Sequence, residues 1–297
     1  MLTRLLLLLT LWMGSLTVSA QDADSINQAA QHPEFIHVYL VTIGPGNDAV
    51  SAYGHAAIRL QCESKQLDYC FSFNMSDTGL APLKFVAGTA KAGFQAVPTD
   101  RFVEQYRQEG RAVSEYQLNL LPLEEQQLWR LLDEEIMKGA YWKYDFITVN
   151  CTSMCVWIVQ RALTGERLFC RNMPPALSRP YKELLHEISA HSPWMELFFN
   201  IRLFSRRNDI GTPDAKMVPD VLAAVWSDSQ IEDSAGNQRP MIVGSRTICQ
   251  QTVALTSPLV TPCMAAWMVV VVVLAAGGML WHKRKRNVLP FNRKVYI

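Results

Sequence analysis

The sequence carries almost no net charge. Its 297 residues hold 28 Lys and Arg against 27 Asp and Glu, a formal charge of +1, and that balance excludes the strong basic bias of a nucleic-acid-binding chain. Charged residues are only 19% of the chain and hydrophobic residues 49%, which excludes intrinsic disorder and collagen-like sequence. Ordinary charge through the middle excludes a polytopic membrane protein. No internal repeat is visible. No CxxC pair and no HExxH occur, so nothing in the sequence asks for a metal or a cofactor. The length suits one or two domains.

What is present is concentrated at the ends. Arg4, an apolar run from Leu5 to Met13, and Val18-Ser19-Ala20 have the basic start, short apolar core and small-x-small site of a secretory signal peptide over 1–20. Met264 to Trp281 is free of charge and contains the run Val269–Val273. It predicts one transmembrane helix over 263–281, bracketed by Trp267 and Trp281 and followed by His282-Lys283-Arg284-Lys285-Arg286. The positive-inside tendency then puts the tail 282–297 in the cytoplasm and residues 21–263 on the exoplasmic side. The near-zero charge splits accordingly: +1 on the signal, +6 on the tail, and 21 basic against 27 acidic side chains, or −6, on residues 21–281. Seven cysteines lie beyond the signal; an exported chain can bridge them, and an odd count leaves at least one thiol over.

After an N-terminal segment 21–35, residues 36–226 read as one mixed α/β domain. Ile36–Ile43, Ala56–Cys62, Leu67–Phe73 and Val113–Leu120 have strand character. A short helix capped by Thr99 or Asp100 carries Phe102, Val103 and Tyr106 and ends at Gly110. Pro122 opens another helix that Gly139 stops, and Asn150 caps a helix over Cys151–Leu163. Further helices are expected at Tyr181–Ala190, Pro193–Phe204 and Val218–Trp226. Residues 227–262, polar and aperiodic, read as a linker to the membrane.

The chemistry points to Cys151 and His55. Cys151 follows a strand and starts a helix, where free backbone N–H groups and the helix dipole favour an anion, an environment expected to lower a thiol pKa. His55, in Tyr53-Gly54-His55 after a Gly-rich loop, is placed to take the thiol proton and return it to a leaving group. A cysteine on a helix face is more often a small core residue or half a disulfide. Arg59 lies four positions along the same strand, hence on the face of His55; it is either a phosphate- or carboxylate-binding residue or a solvent-facing one. Tyr53 and Asn150 are candidates for shaping the site. The segment Trp194–Phe204 is very apolar, as core packing or as a patch that dips into a bilayer.

Five blocks in order carry a family resemblance: VYLVTIGPGNDAVSAYGHAAIRL (Val38–Leu60), RFVEQYRQEGRAVSEYQLNL (Arg101–Leu120), YDFITVNCTSM (Tyr144–Met154), SPWMELFFN (Ser192–Asn200) and MVPDVL (Met217–Leu222). The chain resembles the periplasmic domain of the Lnb-type lipoprotein N-acyltransferases. The Asn-Cys pair and the order His-then-Cys also look like the circularly permuted, NlpC-like branch of the papain-like fold, which includes the lecithin retinol acyltransferase group. The resemblance implies an α+β fold in which a helix-borne Cys151 packs on a small antiparallel sheet carrying His55. Two features depart from it. Val149 stands where an acidic residue is expected before the Asn-Cys pair, and one apolar span follows the domain where larger relatives have several.

The reading that results is a membrane-anchored, cysteine-dependent acyltransferase, with no cofactor. Cys151 takes an acyl chain from a phospholipid donor as a thioester, His55 serves as base and then acid, and the chain passes to an amine, the N-terminus of a lipoprotein acceptor. Two alternatives stand beside it: a periplasmic cysteine amidase or peptidase acting on cell-wall peptide, and a non-catalytic anchored module with Cys151 locked in a disulfide.

Overall fold

A computed structural model describes residues 36–76, 84–85, 87–139, 141–146, 148–163, 165–170, 181–202 and 218–286. The expected signal peptide, the segment 21–35 and the tail beyond residue 286 lie outside the described residues.

Mixed helix and sheet is observed, as expected. β1 (Ile36–Ile43), β2 (His55–Cys62) and β3 (Leu67–Met75) form a meander that continues into β4 (Lys91–Pro98). With β5 (Val113–Leu118), β6 (Trp142–Lys143) and β10 (Ile242–Cys249) they make an antiparallel seven-stranded sheet of order β10-β5-β1-β2-β3-β4-β6. A second antiparallel sheet joins β7 (Arg167–Cys170), β8 (Ser229–Glu232) and β9 (Gln238–Pro240).

Strand periodicity divides the core between the two faces. Val38, Leu40, Ala56, Ile58 and Leu60 are buried under α2 (Pro122–Lys138) and α3 (Cys151–Ala162), which supply Leu128, Leu132, Cys155, Ile158 and Val159. Val41, Ile43, Ala57 and Cys70 are buried on the other face under Phe102, Val103 and Tyr106 of α1 (Thr99–Gln108). Pro122 at the first turn of α2 and Gly139 at its end, at φ +56, act as the sequence suggests. Thr99 does not cap α1. Its hydroxyl donates instead to Asp68, 2.5 Å away.

The linker expected over 227–262 is corrected by the structure. Residues 229–249 form β8, β9 and β10, and β10 extends the main sheet beyond β5, from Ile242 opposite Leu118 to Cys249 opposite Val113. Most of β10 is exposed, so it has no apolar alternation to read; its order comes from the ladder it makes with a strand more than a hundred residues earlier. The chain after it is also held. Thr252 and Val253 donate their backbone N–H to Gly110 O at 2.8 and 2.9 Å. The Asn47 side chain bonds Ala254 O and Thr256 N, and Gln251 bonds Pro45 O and Ala112 N.

α4 (Tyr181–Ile188), α5 (Pro193–Arg202) and α6 (Pro219–Ser227) follow β7. α7 (Pro262–Arg286) is exposed along its described length and, among the described residues, is the one helix long and apolar enough to cross a membrane. Its charge-free part from Met264 to Trp281 extends about 27 Å at ~1.5 Å per residue, close to the thickness of a hydrocarbon core.

Candidate active site

The end of the sheet at which β1 finishes and β2 begins holds a small cleft of about 80 Å³, lined by Tyr53, His55, Asn150 and Cys151 together with Phe73, Met75, Tyr144 and Phe146. Four of the five residues singled out from sequence meet here. Gly54 makes the approach possible. Its φ is +82, and a Cβ on it would collide with the carbonyl oxygen of Ile43, so only glycine lets the chain turn into β2 at His55.

Cys151 is the first residue of α3, and Asn150 is a working N-cap. The Asn150 Oδ1 accepts from Ser153 N at 2.8 Å, and the Ser153 hydroxyl accepts from Asn150 N at 2.8 Å. The Asn150 Nδ2 donates to Phe146 O at 2.5 Å, which ties the preceding loop to the cap. Cys151 is half-buried and free, so the disulfide required by the non-catalytic alternative is not formed. The other cysteines whose side chains are described, Cys62, Cys70, Cys155, Cys249 and Cys263, are free as well.

The thiol differs from expectation in its electrostatics. Burial pushes the Cys151 pKa up, and the backbone N–H of Ala56, the Thr152 hydroxyl and the N–H groups at the helix start only partly offset it. The helix terminus is present, but removal from water outweighs it, so the resting sulfur is a thiol rather than a thiolate. Cys155, one turn on, is wholly buried in the core.

His55 is neutral for the same reason. Burial and the nearby Arg111 guanidinium push its pKa down to about 4. The ring packs against Phe102 and Tyr106, with centroids 6.5 and 6.3 Å away, on the α1 face of the sheet. Its Nε2 is buried and has no hydrogen-bond partner. Cys151 belongs to the opposite face, so the two share the cleft without a hydrogen bond between them. A neutral imidazole lining the same cleft as a protonated thiol can serve as its proton acceptor, and catalytic hydrogen bonds often form only when substrate is bound.

Tyr53 is buried, its hydroxyl 2.6 Å from Ser189 Oγ, and burial raises its pKa. It is a wall of the cleft and not an acid at neutral pH.

Arg59 is the correction. It shares the strand face of His55, as its spacing requires, but its guanidinium is occupied. Nε and Nη2 form a bidentate pair with Asp68 at 2.8 and 2.6 Å, Nη1 donates to Glu115 at 2.7 Å, and Arg246 reaches the other oxygen of Glu115 at 2.5 Å. Arg59 also stacks over Tyr39, 5.1 Å from the ring centroid. These partners come from β1, β3, β5 and β10. The cluster is a structural pin across the sheet, and each guanidinium nitrogen of Arg59 is engaged by a carboxylate.

Sequence reasoning missed Arg111. Its side chain is buried, Nε donates to Gly44 O at 2.9 Å, Nη1 pairs with Glu109 at 3.0 Å, and the guanidinium lies 5.0 Å over the Tyr106 ring. Its Nη2 has no partner. The signal available was an arginine next to a turn glycine, Gly110-Arg111, which looks structural until His55 is placed beside it. Asp145, near the position where an acidic residue was looked for, is engaged in its own turn, accepting from Thr148 N and Oγ1 at 2.9 Å each. Among the described residues no group of His, Cys, Asp and Glu is arranged to hold a metal ion.

The model of the Lnb N-terminal periplasmic domain matches residues 23–180, more than half of the chain, and both His55 and Cys151 fall within the match. The chain belongs to the Lnb N-terminal periplasmic domain family. The match ends before α4, so α4–α7 and β8–β10 lie outside the matched region. No curated protein and no solved structure matches the sequence.

Proposed function

We propose that this Lnb-type protein is a membrane-anchored thiol acyltransferase of permuted papain-like fold. In this reading α7 spans the inner membrane, the domain stands on the periplasmic side and the basic tail lies in the cytoplasm. The Cys151 sulfur attacks the ester carbonyl of a phospholipid and the S–H proton moves to His55 Nε2. The S–C bond forms as the C–O bond breaks, and His55 returns the proton to the leaving lysophospholipid alkoxide. An amine, the N-terminus of a lipoprotein, then attacks the thioester. The C–N bond of an amide forms as the C–S bond breaks, the amine proton passes to His55, and the leaving sulfur recovers it as the thiol.

The observation that carries this reading is the pairing of a free thiol with a neutral, unpartnered imidazole nitrogen in one cleft. Backbone N–H groups already directed at the sulfur, from Ala56 and the first turn of α3, are suited to the oxyanion that forms beside it. Transfer is favoured over hydrolysis of cell-wall peptide by the lining: Phe73, Met75, Tyr144 and Phe146 form an acyl-compatible wall and carry no charge for a peptide.

Mass spectrometry of lipoprotein N-termini tests it, in cells in which this protein is the sole N-acyltransferase. Cys151→Ala and His55→Ala are expected to abolish N-acylation. N-acylation that persists in the Cys151→Ala strain sinks the proposal, and release of peptide from purified peptidoglycan by the full-length protein replaces it with the hydrolase.

A further inference from the structure

α5 is apolar on the side it turns to water as well as on the side it buries. Trp194, Leu197 and Ile201 are 45%, 39% and 68% exposed, and helical spacing puts them on one stripe with the half-buried Phe198 at its edge. Its polar residues Glu196 and Asn200 are turned to the flank, where Glu196 meets His186 at 2.7 Å. The inward side, Met195 and Phe199, is buried. A helix apolar on both its inward and outward faces is built for two apolar surroundings.

The helix is also tied to the span. The Trp194 indole N–H donates to Val260 O at 2.8 Å, two residues before α7 begins. The stretch 251–256 is bonded to the loop after β1 and to Gly110, at the end of the sheet that carries the cleft. The start of α7, the outward face of α5 and the mouth of the site therefore lie at one end of the molecule. Behind the outward face, aromatic rings lead inward: Phe199 lies 4.0 Å from Phe146 and 5.3 Å from Tyr53, and both of those line the cleft with Cys151.

We infer that the outward face of α5 is immersed in the lipid leaflet from which α7 emerges, and that the Phe199–Phe146–Tyr53 track is the path by which a phospholipid acyl chain passes from that leaflet to Cys151. The second half rests on the proposed acyl transfer; the first does not. Continuity with the span identifies the occupant, because a surface within one hydrogen bond of a helix entering hydrocarbon is presented to lipid, and an amphipathic tryptophan at that level is an interfacial anchor.

The test uses the full chain in vesicles of phosphatidylethanolamine and phosphatidylglycerol, with benzoylphenylalanine placed singly at Leu197, Ile201 or Met137. Met137 is 85% exposed but borders a cleft with Ile36 and Lys65 at the opposite end of the sheet. Irradiation is expected to give phospholipid adducts at Leu197 and Ile201 and none at Met137. Adducts to a second copy of the chain, or no lipid adduct at Leu197 and Ile201, overturn the immersion. The double substitution Leu197→Asp, Ile201→Asp is expected to lower acyl transfer from vesicle phospholipid roughly tenfold or more, with Cys151 alkylated at the unaltered rate as proof that the site is intact. Undiminished transfer overturns the acyl-chain path. Lipid adducts from a protein that transfers nothing leave the immersed surface standing and remove only the acyltransferase.

Discussion

His55 and Arg111 rest against the same ring, that of Tyr106, and each buries a nitrogen that no protein atom satisfies. The arrangement couples a fixed cation to the one imidazole in the cleft. The cation disfavours a second positive charge beside it, so Arg111 acts with burial to hold His55 as a neutral base.

Removing that cation shifts the base. Arg111→Gln is expected to raise the His55 pKa from about 4 toward its ordinary 6.5, read from the histidine ring signals by NMR in micelles. An unchanged titration of His55 would show that burial alone sets it.

The same shift predicts acid sensitivity of the fold. The folded pKa of His55 lies below the ordinary value, so its contribution to stability is complete above about pH 6.5 and is lost as pH falls toward 4. The full effect of a shift of this size is on the order of 3 kcal/mol. Denaturation midpoints measured from pH 7 to pH 4 should fall, and His55→Gln should flatten that dependence. An equal slope in the variant rules out His55 as its source.

The raised thiol pKa of Cys151 fixes the pH profile of its alkylation. With iodoacetamide, and with peptide mass spectrometry to separate Cys151 from the exposed Cys263, the rate at Cys151 should still be climbing at pH 9. A plateau near neutral pH would mean a resting thiolate.

Arg59→Met is expected to act on stability and not on substrate. It leaves Glu115, almost wholly buried, with Arg246 as its cation, at a cost of about 3 kcal/mol in urea unfolding. The KM for vesicle phospholipid should not change; a selective rise in KM would restore Arg59 to the binding site.

Asn150 separates capping from chemistry. Asn150→Ala removes the acceptor of Ser153 N and should cost about 1 kcal/mol. Asn150→Asp keeps an acceptor, loses the donor to Phe146 O, and puts a carboxylate beside the thiol, so Cys151 alkylation at a given pH should slow. Equal alkylation rates in the Asp variant and the parent protein would refute that electrostatic contact.

How much was legible depended on distance along the chain. The cap at Asn150, the stop at Gly139 and strand β1 are written in neighbouring residues, and all lie where the sequence puts them. The role of Arg59 was not legible, because its position is local but its partners Asp68 and Glu115 arrive from two other strands. β10 was read as linker because an exposed strand is ordered by backbone pairing, which leaves no pattern in side chains. The direction of the Cys151 shift was misjudged because a helix N-terminus is visible in sequence and the depth of burial is not. The two-sided apolarity of α5 was visible as a run of large residues, but only packing separates Met195 and Phe199, turned inward, from Trp194 and Ile201, turned out.

The bonds from Gln251, Thr252, Val253, Ala254 and Thr256 to the loop after β1 and to the turn after α1 leave only residues 257–261 between the domain and α7. Five residues reach at most about 18 Å. With α7 in a membrane, the mouth of the cleft cannot sweep through the periplasm in search of a substrate. Under the proposed acyl transfer both reactants reach it by sliding in the plane of the bilayer, and the encounter is a two-dimensional search. Turnover is then set by the surface density of donor and acceptor, and dilution into detergent should slow the protein even when every group in the cleft is intact.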